Sequence, residues 1–355
     1  MNIDGLDLRI GGCLEALRAM PDCSVHCVVT SPPYFGLRDY GVKGQIGLEP
    51  TPEEFVQALV EVFREVRRVL RNDGTLWLNL GDSYATGTKW GDSTGGKAAA
   101  GLHGHGGGGR NKTRPGLPDK NLIGIPWRVA FALQADGWYL RQDIIWSKSN
   151  PMPESVKDRC TRSHEYLFLL SKRPKYFFDH EAIKEPAQEW HGRAGTFDRS
   201  GNQVADHVLP GQAAAQHRPR PSKKRGEFNG KTEAMADSGR NAFRAVTPTR
   251  SKRGVWTVPV RAFKGAHFAT FPPDLIEPCI LAGSPAGGVV LDPFGGSGTT
   301  AGVAIAHGRK AIICELNPEY AALVPTRVQW VIDWNKRRRP ANDDRQLDWV
   351  REATA

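Results

Sequence analysis

The sequence lacks the features that mark membrane and secreted proteins. No segment approaches the roughly 18 uninterrupted apolar residues of a membrane-spanning helix. The N-terminus, Met1-Asn2-Ile3-Asp4, has neither the basic stretch nor the apolar run of a secretion signal. These absences predict a soluble protein of the cytoplasm.

Cysteine is scarce as well, and its six copies stand singly along the chain. They are Cys13, Cys23, Cys27, Cys160, Cys279 and Cys314. Zinc ribbons and redox pairs need two cysteines only a few residues apart. We therefore expect no metal site, and reduced thiols that lie mostly in the core.

Positive charge, in contrast, is in excess. Lysine and arginine number 48 against 38 acidic residues, which gives a formal net charge of +10. Such an excess favours an anionic partner, because lysine and arginine release counterions from a phosphate backbone. The length of 355 residues suffices for one large α/β domain with a smaller appended segment.

Runs typical of buried strands alternate with helical patterns. Residues 25–30 and 75–80 are predicted strands, and a helix from about 51 to 71, stopped by Asn72-Asp73-Gly74, joins them into a βαβ unit. Further helices are predicted over 125–135, 272–282 and 298–307, and further strands over 139–147, 165–170, 288–291 and 310–314. This order predicts an α/β fold around a doubly wound, mostly parallel sheet.

A glycine-rich turn follows the predicted strand that ends near Asp292. It reads Pro293-Phe294-Gly295-Gly296-Ser297-Gly298-Thr299-Thr300 and precedes a helix, which is where doubly wound sheets bind ligands. A phosphate-binding loop would need a lysine after Gly298, and none is there. A dinucleotide-binding loop tolerates an alanine at its last glycine position, where this chain has Ala301. A dinucleotide-binding site and a turn that binds no ligand are therefore both left as alternatives.

Ser31-Pro32-Pro33-Tyr34 directly follows the first predicted strand. The prolines fix the backbone and force Ser31 into an extended conformation. An exocyclic amine is a poor nucleophile because its lone pair is delocalised into the ring. The Ser31 oxygen and the Pro32 carbonyl could accept both of its N–H groups, while Tyr34 stacks on an extruded base. A polyproline recognition segment is the alternative, although the place after a buried strand argues against it.

The two motifs, in this order, resemble the β-class of S-adenosylmethionine-dependent DNA amino-methyltransferases. The resemblance extends to Asp143–Lys148, Asn150-Pro151, Asp158-Arg159 and His164-Glu165, which are similar to the middle motifs of that family. It implies a Rossmann-like methyltransferase fold and catalysis by Ser31, Pro32, Pro33 and Tyr34. It also implies that S-adenosylmethionine is bound by Asp292, Phe294, Gly296, Gly298, Thr299, Thr300, Glu315, Asn317, His267 and Phe271, with Glu315 accepting the ribose hydroxyls.

The resemblance also suggests a division of the chain. Residues 1–185 would form the catalytic half, with a mobile glycine-rich loop at 85–118, and residues 256–335 the cofactor-binding half. The basic stretch 186–255 would be an inserted target-recognition segment, either a disordered linker or a segment that orders on DNA. Residues 336–355 would form a basic, solvated tail.

One position departs from the family pattern. Members commonly carry Gly-Asp-Cys near the first strand, where the aspartate contacts the adenine of the cofactor, but this chain has Gly11-Gly12-Cys13. Adenine recognition would then come from elsewhere, with Asp4 and Asp7 as examples, or the cofactor is bound more weakly.

Family usage associates a serine before Pro-Pro with N4-cytosine, and aspartate or asparagine with N6-adenine. Ser31 therefore predicts N4-cytosine, with N6-adenine as the alternative. C5-cytosine methylation needs a Pro-Cys nucleophile, and Pro278-Cys279 falls inside a predicted helix, where Cys279 would be core. The expected mechanism is base extrusion followed by direct transfer, without a metal or a covalent intermediate.

Other classes of function stay open at this point. The basic insertion and Gly12 would also suit a DNA-binding protein without catalysis, and related Pro-Pro-Tyr chemistry serves RNA and protein methylation. Duplex DNA is the predicted partner, and DNA binding would associate the protein with the nucleoid. The sequence leaves open the recognised DNA sequence, a homodimer and a cognate restriction endonuclease.

Overall fold

The computed structural model describes residues 3–85, 116–187, 249–261 and 271–338. The strands within these ranges are β1 (Leu6–Ile10), β2 (Val25–Thr30), β3 (Leu70–Leu80), β4 (Tyr139–Ser147), β5 (His164–Ser171), β6 (Glu185–Pro186), β7 (Thr249–Arg250), β8 (Val255–Thr257), β9 (Val289–Asp292) and β10 (Lys310–Glu315). The helices are α1 (Cys13–Arg18), α2 (Pro52–Val69), α3 (Ile125–Ala135), α4 (Pro273–Gly283), α5 (Thr299–Ala306), α6 (Pro318–Ala321) and α7 (Val324–Arg338), with a 3-10 turn at Glu181–Ile183.

Several predicted segments lie outside the described residues. They are most of the glycine-rich loop, at 86–115, most of the basic insertion, at 188–248, His267, and the tail from 339 onward. The predicted domain boundaries therefore stay a prediction.

The described strands form a sheet in the order β1-β10-β9-β2-β3-β5-β4-β8. The β2–α2–β3 and β9–α5–β10 units both pair in parallel, as the sequence predicts. β5 runs antiparallel to its neighbours β3 and β4, so the sheet is mixed but mostly parallel. This antiparallel strand brings its first residues to the edge where β2, β3 and β9 end.

The two faces of the sheet carry separate hydrophobic cores. Val28 and Leu76 belong to the core beneath α1, α2 and α3. Cys27 and Trp77, one position away along the same strands, belong to the core beneath α4, α5 and α7. Successive strand residues point to opposite faces, so helices on both sides require strands that are apolar throughout, as β2 is.

Helix α2 begins with a capping box in which the Thr51 hydroxyl accepts from the Glu54 amide, 3.2 Å away, and Glu54 accepts from the Thr51 amide. Its predicted end near residue 71 is wrong. The helix stops at Val69, because Leu70 adopts an extended conformation and pairs with Val25 of β2. Sheet pairing therefore overrides the local helical pattern.

The sequence pattern did not indicate β1, α1, β8, α6 or α7. β1 is an edge strand whose Asp7 and Arg9 pair at 2.9 Å, so its apolar signal is weak. Helix α7 continues through Arg338, so the first residues of the predicted basic tail, 336–338, are helical and exposed. Arg338 lies 2.9 Å from Asp274 and 3.3 Å from Glu277 on α4.

The prediction that most cysteines are core holds for half of them. Cys27, Cys279 and Cys314 are buried, Cys13 is half-buried, and Cys23 and Cys160 are exposed. Cys279 is fully buried in α4, as expected of a packing residue. None of the described helices is both long enough and apolar enough to cross a membrane.

The chain divides into two units, one made of residues 1–183 and 253–355, the other of Lys184–Lys252. In the second unit the described residues form the small antiparallel pair β6 and β7. The Arg250 guanidinium donates to Glu185 across this pair at 3.0 Å. All the site residues that follow belong to the first unit.

Candidate active site at the carboxyl edge of the sheet

A cavity of about 580 Å³ opens where the carboxyl ends of β2 and β9 meet. These strands are neighbours, but the chain leaves β9 for β10 on one side and β2 for β3 on the other. Open α/β sheets bind ligands at such a switch point. The predicted residues that line the cavity are Ser31, Pro32, Pro33, Tyr34, Phe271, Asp292, Phe294, Gly296, Thr299, Glu315 and Asn317.

Among the described residues, two predicted binding residues, Gly298 and Thr300, do not line the cavity. Both are buried, Gly298 near the end of the glycine-rich turn and Thr300 in the first turn of α5. Gly298 has a φ of +91°, and a Cβ there would lie 3.0 Å from a Val324 methyl group. Its contribution is therefore to let the turn pack closely on α7.

Asp292 ties the two motifs together. Its carboxylate accepts from the Thr30 hydroxyl at 2.6 Å and from the Thr300 hydroxyl at 2.7 Å. The Phe294 amide donates to it at 3.0 Å. Burial raises the pKa of Asp292 to about 6. One carboxylate thus fixes the end of β2, the start of α5 and the glycine-rich turn relative to one another.

Ser297, in the glycine-rich turn, is a candidate site residue to which the sequence analysis gave no role. Its side chain is only 2% exposed and lines the cavity. Within the part of the chain that the structure describes, its hydroxyl meets no hydrogen-bond partner. Buried hydroxyls are nearly always paired, so this one is suited to a bound ligand. In the sequence Ser297 stands between Gly296 and Gly298, and the analysis of the motif considered the glycines.

Glu315 ends β10 beside the same turn. Its two carboxylate oxygens accept from the backbone amides of Gly296 and Asn317, each at 2.8 Å. Burial raises the pKa of this carboxyl to about 7, although both hydrogen bonds act against the shift. Asn317 caps α6, where its side chain accepts from the Glu319 amide at 2.9 Å. The backbone therefore orients Glu315 toward the cavity.

Tyr34 is anchored by its hydroxyl rather than left free. The hydroxyl donates to Glu165 Oε2 at 2.5 Å and lies 3.3 Å from Asn79 Oδ1. Gly81 at the end of β3 packs against the ring, and a Cβ there would collide with it. Burial raises the pKa of Tyr34 well above its usual value, so the phenol keeps its proton.

Gly11, Gly12 and Cys13 line the cavity, but Asp4 and Asp7 do not. Neither acid therefore replaces the family's adenine-contacting aspartate, and that suggestion is wrong. Gly12 has an ordinary extended backbone, with φ −64° and ψ 131°, and nothing lies within 4 Å of a Cβ placed on it. An aspartate would fit at position 12 without backbone strain or steric collision. The structure therefore does not require glycine there.

The outer wall of the cavity carries aromatic and cationic groups. Tyr40 and Tyr320 meet edge to face, with ring centroids 6.2 Å apart. The Arg159 guanidinium lies 4.3 Å from the centre of the Tyr84 ring and is held by Glu154 at 2.6 Å. Such groups suit stacking on bases and attraction of phosphates.

Comparison with known proteins gives concordant matches. Residues 25–325 match a family model for N6 and N4 methyltransferases that is described as DNA methylase. The type II methyltransferase M.Cfr9I of Citrobacter freundii is 43% identical over 329 residues, which cover 93% of this chain and 89% of that protein. M.SmaI of Serratia marcescens, another type II methyltransferase, is 42% identical over 328 residues, covering 92% of each.

Among solved structures, PvuII DNA methyltransferase (cytosine-N4-specific) superposes with a TM-score of 0.53 at 20% identity, over 94% of both chains. At 20% identity the superposition is evidence for the fold alone. The superposition confirms the predicted Rossmann-like methyltransferase fold.

Proposed function

This chain belongs to the family of N6 and N4 DNA methylases, and we propose that it methylates the N4 amino group of cytosine in duplex DNA, with Ser31-Pro32-Pro33-Tyr34 as its catalytic element. Family membership makes it a DNA methyltransferase that uses S-adenosylmethionine, rather than a DNA-binding protein without catalysis. The observation that carries the proposal is the meeting of Ser31 and the glycine-rich turn in one cavity.

The cavity residues fit S-adenosylmethionine. The unpartnered Ser297 hydroxyl and the oriented Glu315 carboxylate offer polar contacts to an adenosyl group. The amides at the start of α5 suit a carboxylate, and Phe294 and Phe271 add apolar walls. When bound, the cofactor supplies an electrophilic methyl group on a sulfonium. We propose that the cavity-lining residues predicted from the sequence, together with Ser297, hold it.

The chain's own contribution to the reaction is positioning. Ser31 follows a strand end that Thr30 and Asp292 hold, and the two prolines keep its backbone extended. In the proposed role its hydroxyl and the Pro32 carbonyl accept the two N–H groups of the target amine, which favours the tetrahedral nitrogen that attacks. Tyr34 presents its ring to the extruded base. Acceptors fixed in advance act most strongly in a cavity that excludes water.

The choice of cytosine rests on the first residue of the motif. In this family a serine before Pro-Pro accompanies N4-cytosine, whereas aspartate or asparagine accompanies N6-adenine. Ser31 supports cytosine in this chain, and adenine is the second candidate because the same acceptor pair suits either amine.

Mass spectrometry of nucleosides tests the proposal. Duplex DNA of varied sequence is incubated with the protein and S-adenosylmethionine, then digested to nucleosides. N4-methylcytosine is the expected product. N6-methyladenine would overturn the choice of base while keeping the enzyme class, and 5-methylcytosine would remove the catalytic element from the mechanism. Protein heated beyond unfolding is the control.

We also propose a cognate restriction endonuclease as companion, because the close relatives M.Cfr9I and M.SmaI are named type II methyltransferases. Resistance of DNA methylated by this protein to an endonuclease encoded beside it would support the pairing. A homodimer stays a proposal as well, to be tested by light scattering with and without DNA. The basic segment 186–255 remains the proposed target reader.

Cofactor affinity should depend on pH through Glu315. The folded chain holds the proton of this carboxyl up to about pH 7, whereas two ribose hydroxyls donate best to the ionised form. Affinity should therefore fall about tenfold for each pH unit below 7 and level off above it. Calorimetric titration in two buffers of different ionisation enthalpy should detect close to one proton released on binding at acidic pH.

The raised pKa of Glu315 also determines how the stability of the cofactor-free protein changes with pH. Between the usual carboxyl pKa and about 7, Glu315 is ionised in the unfolded chain but protonated in the folded one, so it lowers stability as pH rises through that window. Glu315→Gln is the matched variant, and it should bind the cofactor weakly without this pH dependence. A wild-type affinity that stays constant from acidic to neutral pH would contradict a Glu315–ribose contact.

A further inference from the structure

The β4–β5 loop, residues 148–163, contributes two guanidinium groups to the wall of the cavity. They belong to Arg159 and Arg162, and both lie over the ring of Tyr84, which lines the same cavity. The distance to the ring centre is 4.3 Å for Arg159 and 6.0 Å for Arg162. Two positive charges therefore share one aromatic ring at the edge of the site.

The two guanidinium groups differ in their partners. Glu154 Oε2 lies 2.6 Å from Arg159 Nη1, and Arg159 also donates to the Cys160 carbonyl at 3.1 Å. Arg162 donates to Glu154 only through its backbone amide, at 3.4 Å. Within the described part of the chain, no oxygen accepts a hydrogen bond from the Arg162 guanidinium group. Its fork of N–H donors is therefore suited to an anionic ligand with several oxygens.

The other carboxylates that line the cavity have partners of their own. Asp82 accepts from three backbone amides, the nearest at 2.8 Å. Glu165 pairs with Lys148 at 2.5 Å. Asp292 and Glu315 accept the hydrogen bonds described above. None of these four carboxylates forms an ion pair with the second guanidinium group of the loop.

The loop and the ring are held in place by contacts within the protein. Asp158 pairs with Lys120 at 2.8 Å, and the Asn150 side chain makes two hydrogen bonds with the Val260 backbone, at 2.7 and 3.0 Å. Tyr84 is fixed by a backbone bridge to the segment that carries Lys120. Groups that are fixed in advance lose less conformational freedom when a ligand binds.

A DNA phosphodiester is the anion that this position favours. Ser31 and Tyr34, the proposed acceptor and stacking residues for the extruded base, line the same cavity. When a base is rotated out of the duplex into a pocket, its phosphates stay at the edge of that pocket with the rest of the strand. A partly exposed guanidinium group at this edge therefore lies where the phosphates of the extruded nucleotide would pass.

From this geometry we propose that Arg162 binds a phosphate of the extruded nucleotide, with Arg159 and Tyr84 as positioning residues that keep its guanidinium group at the cavity edge. The inference rests on the proposed function, because it takes the base to be extruded into this cavity. It places a contact to the DNA backbone at the target nucleotide itself, apart from any that the basic segment 186–255 makes.

The first test measures how DNA affinity depends on salt concentration. Plasmid DNA methylated by the wild type is sequenced to locate the target base. A duplex oligonucleotide with that one site is then titrated in the presence of S-adenosylhomocysteine, which lacks the transferable methyl group. Arg162→Gln should raise the dissociation constant about tenfold. The slope of log affinity against log salt concentration should become shallower by about one, as one lost phosphate contact requires.

Arg162→Lys is the conservative variant for the same titration. It keeps the positive charge, so the salt slope should stay that of the wild type. It should nevertheless bind DNA more weakly than the wild type, because an ammonium group cannot reproduce the two-pronged contact of a guanidinium group. The dissociation constant of S-adenosylhomocysteine without DNA should be unchanged in both variants, which shows that they are folded.

The second test locates the phosphate. A methylphosphonate removes the charge of one chosen phosphate of the oligonucleotide. At one of the two phosphates of the target nucleotide, it should weaken wild-type binding about tenfold but cause no further loss in Arg162→Gln, because both changes break the same contact. At phosphates several nucleotides away, any loss should be equal in the two proteins.

Arg64→Gln is the matched control. Arg64 pairs with Asp136 at 2.7 Å and does not line the cavity, so this variant loses the same charge elsewhere. It should keep the wild-type response to a methylphosphonate at the target nucleotide. If Arg162→Gln is poorly folded, Arg162→Lys replaces it, and the methylphosphonate should then cost less affinity than in the wild type.

An unchanged DNA affinity or an unchanged salt slope in Arg162→Gln would overturn the phosphate contact. Additive losses at both phosphates of the target nucleotide would overturn its location. Failure of the proposed function is separable, because both tests measure binding. If Ser31→Ala keeps the wild-type rate, the role of Ser31 fails, whatever the phosphate tests show. If Ser31→Ala is impaired but the methylphosphonate acts equally on the wild type and on Arg162→Gln, the phosphate contact alone fails.

Discussion

Replacing Ser31 by alanine should lower the rate of methyl transfer by about 100-fold or more, which is the usual loss when a fixed transition-state hydrogen bond is removed. The alanine leaves one N–H of the target amine without its proposed acceptor. The backbone need not change, because the neighbouring prolines set it. Single-turnover rates with radiolabelled S-adenosylmethionine measure the effect.

The same variant should bind the cofactor as the wild type does. The proposed cofactor contacts come from Ser297, Glu315 and the glycine-rich turn, not from Ser31. Ser24→Ala is the matched control, since Ser24 does not line the cavity and its half-buried side chain donates only locally to the Pro21 carbonyl at 2.8 Å. An unchanged rate in Ser31→Ala would remove Ser31 from the mechanism, whereas equal losses in rate and cofactor affinity would indicate a distorted site.

Asp292→Ala should lower the free energy of unfolding by about 3 kcal/mol or more. The change leaves two buried hydroxyls, of Thr30 and Thr300, and the Phe294 amide without their shared acceptor. An unsatisfied buried polar group costs about 1–3 kcal/mol, and some of this loss is recovered because burying the carboxylate is itself unfavourable. Urea unfolding should show a lower midpoint with an unchanged slope.

Cofactor binding should weaken in the same variant, since the glycine-rich turn and the end of β2 lose the carboxylate that joins them. Asp7→Ala is the control because Asp7 is a half-exposed strand residue paired with Arg9, and surface pairs contribute at most about 1 kcal/mol. A midpoint for Asp292→Ala equal to that of Asp7→Ala would show that Asp292 does not hold the two motifs together.

The largest elements were predictable because local pattern and tertiary role agree in them. β2 is apolar throughout because both of its faces are covered, and α2 carries its capping residues in adjacent positions. The errors occur where packing overrides that pattern. Leu70, for example, leaves the predicted helix to pair with Val25 of β2.

Part of the candidate site was also predictable, because its motifs are formed by residues that are adjacent in the chain. Ser31-Pro32-Pro33-Tyr34 and the glycine-rich turn are contiguous motifs, so their residue types and their position after a strand are visible in the chain itself. Ser297 could have been found by asking which polar side chain in a glycine turn has no local partner. The separation of Asp4 and Asp7 from the cavity could not have been predicted from the sequence, because it depends on where the edge strand β1 lies.

The sequence by itself determined the two motifs, their order and their attachment to strands of a mostly parallel sheet, since these depend on residues that are adjacent in the chain. Only the tertiary structure decided that β9 lies beside β2, which lets Asp292 join Thr30, and that β5 is antiparallel, which brings Glu165 to Tyr34. Contacts between residues more than a hundred positions apart depend on strand order and direction, and no local preference encodes them.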